Sequence, residues 1–123
     1  MGMQTKNLTR RTLSATSIVG DTVKNPAGET LGKIKELMID VEAGRIAYAV
    51  LSFGGVLGMG DKLFAVPWSS MLLDAPNKSF ILNVPKETLS TAPGFDKEHW
   101  PDFSDPELGN RIYGHYRQQP YWH

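Results

Sequence analysis

Gly54-Gly55-Val56-Leu57-Gly58-Met59-Gly60-Asp61-Lys62-Leu63-Phe64-Ala65-Val66-Pro67-Trp68 is the stretch around which the chain is organised. Its first half, with Gly54, Gly55, Gly58 and Gly60, is a glycine-rich turn that permits bends other residues resist. Its second half repeats every two residues. Phe64, Val66 and Trp68 share one face of a strand running from Lys62 to Trp68. Pro67 donates nothing to a sheet ladder and belongs at a strand end, an edge or a bulge. The stretch therefore reads as a constrained turn feeding a strand into a small β core, with Asp61 at the junction.

The flanking segments carry the same short-strand rhythm. Ile18 to Val23 is a strand candidate, and Asn25-Pro26-Ala27-Gly28-Glu29 is a turn. In Leu31 to Val41, strict alternation puts Lys35, Leu37, Ile39 and Val41 on one face, with Ile34, Glu36, Met38 and Asp40 on the other. Glu42-Ala43-Gly44 is a hairpin connection. Arg45 to Phe53 is apolar on both faces and is expected to be the most buried strand. Ser69 to Asp74 extends the fourth strand or forms a helical turn, and Ser79 to Val84 is the fifth strand. Short strands separated by Gly, Pro and Asn indicate a sandwich or barrel, and a closed barrel removes exposed edges. The expectation is a mainly β chain: a small, strongly bent antiparallel barrel over residues 13–90. A loose arm over 1–12 precedes it and an extension over 91–123 follows.

Composition changes after Val84. Pro85 to Leu89 starts a single helical turn, and Ala92-Pro93-Gly94 ends it. The remaining segment concentrates aromatics. Asp105-Pro106 is an N-cap followed by a first-turn proline, and Leu108, Ile112 and Tyr116 fall on one face of a short helix. Trp100, Phe103, Ile112, Tyr113, Tyr116, Tyr121 and Trp122 either fold back over the barrel or bury against another chain. They are the candidate interface, since Tyr and Trp dominate interface hot spots.

The totals exclude several functions. Among 123 residues there are 13 Lys+Arg, 13 Asp+Glu and no cysteine. The zero formal charge argues against nucleic acid as a partner. The missing cysteines exclude disulfides and thiolate metal sites. No run approaches the roughly 18 apolar residues a membrane helix needs, and the chain reads as cytoplasmic. Gly55 to Gly60 has P-loop spacing, but Asp61 stands where lysine is required and no helix follows. Asp96, Glu98 and His99 read as polar side chains on the surface, and Asp40 and Glu42 as a solvated hairpin end. No serine elbow or nucleophile–base pair occurs, so neither catalytic, cofactor nor metal residues are assigned.

Four ordered blocks resemble the PRC-barrel family: Val19 to Ile34, Leu37 to Asp40, Gly44 to Gly55 and Gly60 to Trp68. The match runs from about Leu13 to Leu89, and the aromatic extension resembles one in bacterial members. The family includes the cytoplasmic domain of the photosynthetic reaction centre H subunit and the C-terminal domain of the ribosome maturation factor. The resemblance implies a strongly bent β barrel acting as a binding or adaptor module, not an enzyme. It implies self-association, with a homodimer favoured, and an unidentified protein partner. A second reading is an RNA-processing or ribosome-associated accessory using Lys33, Lys35, Arg45 and Lys62. A third is a small-ligand-binding barrel.

Overall fold

The structure is a computed structural model that describes residues 11–54 and 61–122. Local chemistry sets each element. Ser14 caps a single helical turn, α1 (Ala15–Ile18), accepting from the Ser17 N–H. Ile18, expected to open the first strand, is therefore helical. β1 is only Thr22–Lys24. The following turn is closed by Asn25, which is buried. Its side chain donates to Glu29 Oε1 at 2.7 Å and accepts from the Glu29 N–H at 2.9 Å.

Four further strands follow β1 and its long neighbour β2 (Thr30–Asp40): β3 (Arg45–Gly54), β4 (Asp61–Pro67), β5 (Met71–Asp74) and β6 (Ser79–Leu82). Their order is β4-β3-β2-β1-β6-β5, and the sheet curls into a half-barrel. The mainly β, strongly bent class is as expected. Pairing is antiparallel except for β1 against β6, which run parallel with Val23 opposite Phe80. The sheet ends at β4 and β5, which are not paired with each other, so curvature and side chains rather than a closing ladder enclose the core. Trp68 does not extend β4. It opens a 3-10 turn (Trp68–Ser70), half-buried, with its ring 5.5 Å from that of Phe80.

Two bulges overturn the alternation expected in Leu31 to Val41. The first leaves Lys35 as an extra residue between the pairs Ile34–Leu51 and Glu36–Val50. Ile34 and Leu37 consequently share the inner face. The second lies in β3, where Ala47 falls between the pairs Met38–Tyr48 and Ile39–Ile46. Each bulge bends its strand and sharpens the twist. Ile39 and Val41 end up 58% and 76% exposed instead of in the core.

β3 and β4 are buried on both faces. Ala49, Leu51, Phe64 and Val66 face inward, and Tyr48, Val50, Leu63, Ala65 and Pro67 occupy the other row. The C-terminal segment covers that outer row. α2 (Lys86–Ser90) buries Leu89, and α3 (Pro106–His115) packs against β4. α3 starts where expected: the Asp105 carboxylate accepts from the Glu107 N–H, and Pro106 fills the first turn. His115 Nε2 donates to the Thr88 carbonyl at 3.0 Å and joins the two helices.

The second bulge leaves Ala47 outside the ladder pairs of β3, with its carbonyl directed at the extension. The Tyr113 hydroxyl donates to it at 2.9 Å in a buried setting. Tyr116, one turn on, is equally buried, yet its hydroxyl has no partner among the described residues. Removing one hydroxyl strands a buried carbonyl; removing the other relieves a buried polar atom. Tyr113→Phe is therefore expected to lower unfolding stability by about 1–3 kcal/mol, whereas Tyr116→Phe is neutral or stabilising. Urea unfolding of the two variants checks this, and equal losses would contradict it.

Candidate functional site

Of the glycine-rich motif, Gly54 ends β3 and pairs with Asp61 at the start of β4. Pro67 is the last residue of β4, at the strand end expected for it. Gly55, Gly58 and Gly60 lie outside the described residues, as does most of the expected N-terminal arm.

The candidate interface aromatics are brought together, but mostly beneath the surface. Ile112, Tyr113 and Tyr116 are buried within the same chain, which leaves them no free face here. Phe103, Tyr121 and Trp122 are half-buried, and Trp100 is 39% exposed. Their rings form one continuous series. Trp100 meets Phe95 at 5.0 Å, Phe95 meets Phe103 at 6.2 Å and Phe103 meets Tyr48 at 5.4 Å. Tyr48 meets Tyr113 at 5.6 Å, and Tyr113 meets Trp122 at 4.7 Å. Tilted and edge-on geometries prevail, as ring quadrupoles favour. At one end, Phe95 forms a two-bond bridge to Leu63 and so caps the outer edge of β4.

At the other end the chain is latched to the β2–β3 turn. The Tyr121 hydroxyl donates to Asp40 Oδ2 at 2.6 Å, and the Arg45 guanidinium sits 3.9 Å above the Tyr121 ring. Asp40 Oδ1 accepts from the Ala43 N–H. These bonds, that from Tyr121 foremost, hold the Asp40 carboxyl below its ordinary value of 3.8. Burial, and then the bond to Asp40, raise the Tyr121 phenol.

Between the turn and the extension lies a groove of ≈ 490 Å³. Met38, Ile39 and Val41 line one wall, Phe103 and Pro106 the other, with Tyr48, Tyr121 and Trp122 between them. Asp40, Glu42 and Asp105 supply its carboxylates. Gly109 lets two lining side chains approach α3 closely: a Cβ there would lie 2.8 Å from the Tyr48 hydroxyl and 2.9 Å from the Trp122 ring. Sequence reading did not find this groove. Asp40 and Glu42 looked like a hairpin end because the residues opposite them lie more than sixty positions along the chain. Elsewhere, His99 and Asp96 stand 3.8 Å apart on open surface, and no three His, Asp or Glu side chains converge among the described residues. No described helix is long and apolar enough to cross a membrane.

The latch has a pH signature. A carboxyl whose folded pKa is lowered adds stability that is complete above its unfolded pKa and disappears as pH falls through the folded one. A phenol raised by folding adds stability that is complete below its unfolded value of 10.0 and fades as pH rises through the folded one. The Tyr121–Asp40 bond should thus be intact from about pH 4 to about pH 10. The Trp122 indole N–H resonance, next to Tyr121, should titrate with a midpoint below 3.8 in acid, and Asp40→Asn should remove that titration. A midpoint at or above the ordinary carboxylate value would contradict the latch.

A search among curated proteins returns no match. The family model of the PRC-barrel domain matches residues 11–89, which takes in every strand described above and stops at Leu89 in α2. With a half-barrel sheet over the matched residues, the chain belongs to the PRC-barrel domain family, and its aromatic extension lies beyond the matched portion.

Proposed function

We propose that this chain is a non-enzymatic interaction module that associates with itself, a dimer being favoured, and engages a second protein as an adaptor. The observation that carries this reading is the contrast between the two edges of the sheet. The β4 edge is capped by the Phe95 bridge. β5 pairs only with β6 among the described residues, and it carries Leu72 at 63% exposure and Leu73 at 37%. An edge strand with unpaired backbone groups and apolar side chains is a template for another strand. Two copies meeting β5 to β5 across a two-fold axis would extend both sheets through one self-complementary contact.

The aromatic extension contributes less to this association than its composition suggests, because most of its rings are used within the chain. Trp100 is the most exposed of its Trp, Tyr and Phe rings among the described residues. An RNA-linked role draws no comparable support. Arg45 sits opposite Asp40 at one end of β3, whereas Lys33 and Lys62 lie near the other end, opposite Ser52 and Phe53.

Light scattering at tens of micromolar should give the mass of a dimer. Leu72→Lys, at an exposed position, should give a monomer with stability changed by less than about 0.5 kcal/mol. A strictly monomeric native chain at that concentration would refute self-association.

A further inference from the structure

The groove beside the β2–β3 turn has a chemistry that the β5 edge lacks. Asp40, Glu42 and Asp105 line it, and none of the three makes an ion pair among the described residues. The nearest cation, Arg45, is stacked on the Tyr121 ring and offsets only one of the three charges. The whole chain is formally neutral, so this local excess is a property of the groove. A second observation is independent of the acids. Tyr48 is 5% exposed, yet its hydroxyl makes no hydrogen bond among the described residues and lies against Gly109 in the groove lining. Burial, and then the neighbouring Tyr113, push that phenol up to about 12, so it keeps its proton at neutral pH and can both donate and accept.

Carboxylates beside aromatic faces select a cation, since ring faces and carboxylates both attract positive charge. The exposed Ile39 and Val41 along one wall add apolar contact beyond the charged pocket. An anionic surface such as acidic lipid is disfavoured by the same charges. Accepting the adaptor reading above, we infer that the groove is its partner-binding site and takes a Lys or Arg side chain carried on an apolar segment of another protein. The cationic head sits among Asp40, Glu42 and Asp105. Its stem lies on the Tyr121 and Trp122 rings, the Tyr48 hydroxyl meets a backbone polar group, and flanking apolar residues cover Ile39 and Val41.

Titration of the ¹⁵N-labelled full chain with the peptide acetyl-Leu-Arg-Leu-Tyr-amide tests this. Saturable shifts are expected at the Trp122 indole, at Gly109 and at the amides of Asp40 to Glu42. The same peptide with Glu in place of Arg should bind at least about tenfold more weakly. Glu42→Gln and Tyr48→Phe should each weaken the Arg peptide by roughly three- to tenfold, with unfolding midpoints checked alongside. Added salt should weaken it further. Three results would overturn the inference: no saturation below millimolar peptide; equal binding of the Arg and Glu peptides; or N-acetylargininamide binding as tightly as the peptide, which would mark a small-cation site. Groove shifts that grow with protein concentration alone would overturn it too, by naming a second copy as occupant. The mass of Leu72→Lys reports self-association separately, so either reading can fail without the other.

Discussion

The hydrogen bond from Tyr113 to the Ala47 carbonyl is the contact on which the arrangement turns. A bulge in β3 is needed to bend the sheet, and a bulge leaves a backbone group outside the ladder. A buried, unpaired carbonyl is costly, so it must be satisfied from elsewhere. Here it is satisfied by a residue 66 positions along the chain, on a helix that the barrel itself does not supply. Curvature of the sheet and docking of the extension are thereby coupled.

Around that bond the extension does what a second sheet would do in a sandwich. It covers the outer row of β3 and β4, so both strands are apolar on both faces. Leu108 and Ile112, each less than a tenth exposed, contribute about 1.5–3 kcal/mol apiece by leaving water. Phe95 closes the edge of β4, and Tyr121 ties the far end to Asp40. The chain thus has one protected edge and one open edge, together with a groove that exists only because the extension lies against the β2–β3 turn.

Much of the fold was legible because strand and helix signals are local. The limits of β2, β3 and β4 fall within one or two residues of those expected from alternation and glycine. Asp105-Pro106 announced α3 through its cap. What alternation cannot carry is a register shift. Lys35 and Ala47 look like ordinary strand residues, and only the partner strand reveals them as bulges. The extra residue at Lys35 puts Ile34 on the same face as Leu37 instead of the opposite one, and Ile39 and Val41, on the expected core row, lie on open surface. Trp68 kept its packing role but lost its strand, because Ser69 and Ser70 turn immediately after Pro67. The aromatic extension was legible as a cluster but not as to which rings would stay available. The groove was illegible for the same reason: its acids and rings converge only after residues near 40 and residues past 100 meet.

Through the Tyr113–Ala47 bond the PRC-barrel portion and the aromatic extension form one cooperative unit. Urea unfolding of the full chain against a chain ending at Pro93 tests it most directly. The shortened chain, with Leu63, Val50 and the Ala47 carbonyl uncovered, should lose its single sharp transition or unfold at far lower urea. A shortened chain with the same midpoint and the same cooperativity would contradict it.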